Sequence, residues 1–147
     1  MLNIENLTNV SVPIKLLENI ANSLTSREID LTLCYNNTIQ EYNKEHRQKN
    51  QPTDVLSFPI ENDFIISDEF SLPLGSIVIS VDYVTKNAKE FGHSSDDELA
   101  LLFIHGLLHI LGYDHEIDNG EMREKEAQII KGFGLPKSLI VRTKEEG

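Results

Sequence analysis

The sequence predicts a single α+β domain over residues 1–147, organised around one very apolar helix. Three observations lead there. Segments with strand-like and helix-like hydrophobic periods interleave along the chain without a strict strand–helix–strand alternation. One helical segment, running through Leu99, Leu102, Phe103 and Leu107, is apolar nearly all round, which places it in the middle of a domain. The 147 residues, 39% hydrophobic and 25% charged, have the size and composition of one ordinary domain with a proper core, and no repeat or low-complexity tract interrupts them.

Residues 1–7 read as a short strand. Pro13, followed by Ile14, Leu17, Ile20, Ala21 and Leu24, places apolar residues on one helical face. Ile29 to Tyr35 alternates apolar and polar and reads as a strand. Asn37 to Gln48 is polar except for Ile39 and Tyr42, the pattern of a surface helix with one buried edge. Pro52 to Pro59 holds Val55, Leu56 and Phe58 between prolines, which suits a short edge strand. Glu61 to Pro73 mixes acids with Phe64, Ile65, Ile66 and Phe70 and reads as a loop that packs. Gly75 to Val81 is the clearest strand, with Ile77, Ile79 and Val81 on one face, and Val84 to Phe91 reads as a helix.

The apolar helix follows. Ser95-Asp96-Asp97-Glu98 has the form of a capping box, and its acids suit the positive end of the helix dipole. Gly112 is a natural left-handed stop. A last helix covers about Glu121 to Lys131 and ends at Gly132 and Gly134, before Pro136.

The net charge of −11 repels any polyanion overall, so a nucleic acid would have to be met by a local basic patch or a bound cation. Taken alone, it favours a protein, peptide or small-molecule partner. Met1 to Val10 has neither the basic residues nor the apolar stretch of a secretory leader, and the longest apolar run, Ala100 to Ile104, is far short of the roughly 20 residues of a membrane span. A cytoplasmic protein with no membrane partner is expected. The single cysteine, Cys34, fits a reducing compartment and reads as a buried, inert thiol.

The chemistry concentrates in His105-Gly106-Leu107-Leu108-His109-Ile110-Leu111-Gly112-Tyr113-Asp114-His115. His105 and His109, four apart on one helical face, can reach a common point, and the turn at Gly112 brings His115 back towards it. This is the ligand spacing of the metzincin zinc site, His-x-x-x-His-x-x-Gly-x-x-His. Three imidazoles leave zinc's fourth tetrahedral position to water, as in catalytic rather than structural sites. One zinc per chain is therefore expected on His105, His109 and His115, although nickel or copper would bind at least as well if available. Metzincin peptidases carry their general base, a Glu, directly after the first histidine; Gly106 stands there instead, which argues against ordinary peptide hydrolysis.

Together with Pro52-Thr53-Asp54-Val55-Leu56-Ser57-Phe58-Pro59 and Leu74-Gly75-Ser76-Ile77-Val78-Ile79-Ser80, the histidine stretch resembles the YbeY family of bacterial rRNA maturation factors, described as single-strand-specific endoribonucleases; the matches fall within residues 46–115. The resemblance implies a zincin-like α+β fold with a mixed sheet, one zinc, and action on single-stranded rRNA in maturation of the small-subunit rRNA 3′ end and in ribosome quality control. It also implies the small ribosomal subunit and its proteins as partners, and a functional arginine that falls on Arg47. The loop from Glu61 to Leu72 is variable in such proteins and carries no motif.

Arg47 suits that role, because a guanidinium holds phosphate through two parallel hydrogen bonds, and Lys44 and Lys49 flank it in a local basic cluster. Asp114 reads as a turn residue that could also orient a ligand imidazole, Asp54 and Ser57 as residues holding the turn between prolines, Tyr113 as packing, and His46 and His93 as isolated surface histidines. Three functions stay open: a zinc-dependent endoribonuclease, a non-catalytic assembly factor whose zinc is closed by a fourth protein ligand such as Asp114, and a peptidase with its base elsewhere.

Overall fold

Alternating apolar residues in two central strands decide how the sheet is covered. The computed structural model describes residues 1–60, 73–114 and 116–136. Its elements are β1 (Leu2–Asn6), α1 (Ile14–Leu24), β2 (Ile29–Cys34), α2 (Asn36–Arg47), β3 (Val55–Pro59), β4 (Gly75–Ser80), α3 (Val81–Phe91), α4 (Ser95–Ile110) and α5 (Glu121–Gly132). The strands form one mixed sheet in the order β1-β2-β4-β3. β1, β2 and β4 are parallel, with Leu31 beside Ile77 and Leu33 beside Ile79. β3 runs antiparallel to β4 and closes one edge, ending on Pro59 opposite Gly75, a place where a residue without an N–H is tolerated.

Ile29, Leu31 and Leu33 of β2 share a sheet face with Ile77 and Ile79 of β4. Together with Leu17 and Ile20 of α1 and Phe103, Ile104 and Leu107 of α4, they form the main core. Val78 and Leu56 point the other way and pack with Cys34 and Ile39, so that α2 covers the second face. The expected α+β architecture with a buried central helix is what the chain adopts. α4 packs against β3, β4, α1, α3 and α5, and this explains why its sequence is apolar on every side. Among the described residues no helix is long and apolar enough to cross a membrane. The packing loop expected from Glu61 to Pro73 lies outside the described residues except for Pro73.

Three local expectations are corrected. Val81 does not extend β4; it opens α3. The chain passes from strand to helix without a loop because the Ser80 hydroxyl donates to Asn36 Oδ1 at 2.7 Å and Asp82 Oδ2 accepts from the Asn36 amide at 2.8 Å. The α4 cap is Ser94, whose hydroxyl oxygen accepts from the Asp97 amide at 3.1 Å, so Ser95 is the first helical residue. Glu98 therefore does not complete a capping box. It is fully buried, 2.7 Å from His93 Nε2, and accepts from Asn87 Nδ2 at 3.4 Å. His93, expected at the surface, keeps only 2% of its side chain exposed. A buried carboxylate requires such partners, and the tight turn at Gly92, φ 73°, delivers one.

Cys34 is buried, as expected, and burial lifts its thiol from 9.0 to about 11. The folded state thus holds a proton that the unfolded chain releases between those values, and stability falls as pH rises through that window. In alkaline denaturation series, Cys34→Ala should lack this part of the slope while the wild type shows it. Ser94→Ala should cost about 1 kcal/mol in chemical denaturation, and Ser95→Ala distinctly less.

Candidate metal centre

Because α4 is packed on all sides, the polar face at its C-terminal end is held in place by the core. His105 and His109 lie one turn apart there, with their Nε2 atoms 3.1 Å apart, ring centroids 4.7 Å apart and ring planes at 78°. Two nitrogens bound to one tetrahedral zinc stand about 3.3 Å apart, so the pair fits a shared ion. On the far side of the ring, His105 Nδ1 lies 2.7 Å from Glu126 Oε1. The carboxylate accepts, which keeps the proton on Nδ1 and leaves the Nε2 lone pair for a ligand.

Glu126 joins the site although the sequence did not single it out. It is 2% exposed and sits on the buried stripe of α5 with Met122, Ile129 and Ile130. An acid four residues after Met122 on an apolar helical face was a readable signal, since a carboxylate is buried only with a partner. Its identity was not readable, because His105 is 21 residues away in the chain.

After α4 the chain turns at Gly112, φ 104°, as its glycine implied. The third expected ligand, His115, lies outside the described residues. Among the described residues no group of three His, Cys, Asp or Glu side chains gathers as a metal set; they contribute two imidazoles, His105 and His109. Asp114 Oδ1 accepts from the Glu116 amide at 3.0 Å and its carbonyl from the Asp118 amide at 3.1 Å, so it serves the turn.

Gly106 acquires a physical reason. A Cβ there would lie 3.0 Å from Ile77 Cγ2 and 3.2 Å from both Ser57 Oγ and Val55 Cγ2. The helix rides directly on β3 and β4, and Ser57 Oγ donates to the Gly106 carbonyl at 3.0 Å. Ser57 therefore ties β3 to α4 rather than holding the proline-flanked turn. Asp54 does hold that turn: Oδ1 accepts from the Val55 amide at 2.8 Å.

The imidazoles open into a cleft of about 510 Å³, lined also by Ser57 and Glu126, and by Arg47 from the end of α2. α2 stops at Gln48 in the left-handed region, φ 56°. The Asn43 side chain then donates to the Gln51 carbonyl at 2.8 Å, pinning the segment that follows Arg47. Arg47 thus joins His105 and His109 at one cleft, 58 residues from the nearer of them in sequence. Lys44 and Lys49 are exposed and stand outside the lining. His46 is exposed, as expected, and its ring packs against Phe58 at 4.9 Å. Tyr113 packs on the main core.

Residues 3–134 match the family model described as Endoribonuclease YbeY. The chain belongs to the endoribonuclease YbeY family. A YbeY relative from Sulfurovum sp. (strain NBC37-1), named Endoribonuclease YbeY, is 57% identical over 142 residues, covering 97% of each chain. One from Aliarcobacter butzleri, named likewise, is 55% identical over 143 residues, covering 97% of this chain and 99% of its own. The solution structure of TM1509 from Thermotoga maritima superposes with a TM-score of 0.60 at 27% identity, covering 99% of this chain and 93% of that one. The YbeY resemblance seen within residues 46–115 therefore extends over nearly the whole chain.

The packing at Gly106 leaves no room for the glutamate of the metzincin peptidases. Gly106→Glu should lower unfolding stability by about 3 kcal/mol or more, through overpacking and a charge forced into the core. Gly106→Ala should change it far less, because helix propensity offsets part of the crowding. Denaturant titration of both variants checks this, and neither should hydrolyse peptides.

Proposed function

We propose that this chain is a zinc-dependent, single-strand-specific endoribonuclease that acts on the 3′ end of small-subunit rRNA and in ribosome quality control, in the cytoplasm. The observation that carries the reading is the pair of imidazole nitrogens 3.1 Å apart, one of them oriented by a buried carboxylate, in a cleft that Arg47 also lines. Family membership supplies the substrate class.

His105, His109 and His115 would hold the zinc. When bound, zinc supplies positive charge to a phosphoryl oxygen and lowers the pKa of water from about 15.7 towards 7. The protein's own groups do the rest. Glu126 keeps His105 in the tautomer and orientation that ligation needs. Arg47 binds non-bridging oxygens of the scissile phosphate through two parallel hydrogen bonds and stabilises the charge added there as the transition state forms. Glu126 is engaged by His105, and residue 106 has no side chain, so neither peptidase-like position offers a free base. The net charge of −11 suits contact with basic ribosomal proteins of the small subunit, and leaves RNA to be held by the ion and Arg47.

Purified, zinc-loaded protein should cut single-stranded oligoribonucleotides and spare duplexes. His109→Ala should lose both bound zinc and cleavage. Arg47→Ala should keep the zinc and lose about 10²- to 10³-fold in kcat, the usual cost of removing one transition-state donor. A 5′-phosphate with a 3′-hydroxyl at the cut identifies water as nucleophile, and a cyclic phosphate identifies the RNA 2′-hydroxyl. Equal behaviour of wild type and both variants would overturn the reading.

A further inference from the structure

Helix α5 brings a second guanidinium to the cleft. Arg123 lies three residues before Glu126, on the same helical face, and Glu126 reaches His105. Its side chain is half-buried and lines the same cleft as Arg47, His105 and His109. The two arginines arrive from different elements, Arg47 from the end of α2 and Arg123 from α5. β3 and α5 both pack on α4, which carries the imidazoles. Arg47 and Arg123 are the only basic side chains among the described residues that line this cleft, apart from its histidines, and neither forms an ion pair with a described carboxylate.

Of the four acids that line the cleft, Glu116 is exposed and the other three have other work. Glu126 is engaged by His105, Asp54 by the Val55 amide and Asp114 by the Glu116 amide. In an acidic chain of net charge −11, a cleft arginine with no ion-pair partner among the described residues, beside the phosphate contact proposed for Arg47, is a group placed to bind an anion.

We propose that Arg123 contacts a phosphate of single-stranded RNA neighbouring the scissile one, so that the substrate is gripped at two successive backbone positions across the imidazoles. This rests on the RNA-binding part of the proposed function. Arg123 then sets affinity and the preference for an oligonucleotide over an isolated phosphodiester, while Arg47 serves the reacting phosphate. A backbone contact carries no base information, so its effect is uniform across sequences.

The test measures binding and cleavage separately. Zinc-loaded wild type, Arg123→Ala, Arg123→Lys and Lys125→Ala are titrated against a fluorescent single-stranded oligoribonucleotide carrying 2′-O-methyl groups, by anisotropy over a range of KCl concentrations. Lys125 is an α5 cation outside the cleft lining and controls for general charge. Arg123→Ala should weaken binding about tenfold and reduce the slope of log K against log salt by about 0.7, the value for one phosphate on a single strand. Arg123→Lys should restore most of the slope, and Lys125→Ala should leave it unchanged. With cleavable RNA, Arg123→Ala should raise KM with kcat within about twofold, and hydrolysis of bis(p-nitrophenyl) phosphate should be unaltered. An unchanged slope in Arg123→Ala, or an equal loss in Lys125→Ala, overturns the inference while leaving the nuclease reading intact. A slope change in protein that binds but never cuts upholds Arg123 and overturns the nuclease reading.

Discussion

The close approach of α4 to the sheet governs everything around it. At Gly106 the helix backbone lies so near Ile77, Ser57 and Val55 that even a Cβ would press on all three, and Ser57 closes the contact with a hydrogen bond to the Gly106 carbonyl. A helix held that tightly cannot rotate, so the residues on either side of the contact have little choice of direction. His105 and His109 are turned away from the sheet into the cleft, while Phe103, Ile104 and Leu107 are committed to the core. The geometry of the imidazole pair is therefore a consequence of core packing. The same packing removes the base that a peptidase would need, so one steric constraint both builds the site and narrows its chemistry.

Charge is the second theme. The chain is acidic, and its family acts on a polyanion. The structure reconciles the two by committing acids locally. Glu126 faces an imidazole, and Asp54 and Asp114 accept from backbone amides, so three of the four acids lining the cleft are engaged, while its two arginines form no ion pair with a described carboxylate. Away from the cleft, Glu98 is buried against His93 and Asn87 at the junction of α3 and α4. A carboxylate so buried is costly to leave alone, and its partner anchors the N-terminal end of the helix that carries the histidines at its other end.

Much of the fold was legible because its signals are local. Leu17, Ile20 and Ala21 recur at helical spacing and are buried on α1, and Ile77 and Ile79 alternate and are buried on β4. The edge position of β3 was announced by its prolines. At the site, the four-residue spacing of His105 and His109 was sufficient to bring their nitrogens together. The errors fall where neighbours in space decide between similar local choices. Ser94 and Ser95 are equivalent caps on paper. Gly92 and the inward turn of His93 select Ser94 and draw Glu98 into the core. Val81 could continue a strand by its pattern, but the bonds from Ser80 and Asp82 to Asn36 start a helix instead.

The sequence by itself determined most of the described elements, the burial of α4 and of Cys34, and the alignment of two imidazoles, because each depends on periodicity or on contacts within one turn of helix. Only the tertiary structure decided that Glu126 meets His105, that Gly106 sits in a close helix–sheet contact, and that Arg47 and Arg123 share a cleft with the histidines. Those facts join residues between 14 and 76 positions apart, and no local pattern encodes which distant side chain a folded backbone will bring within reach.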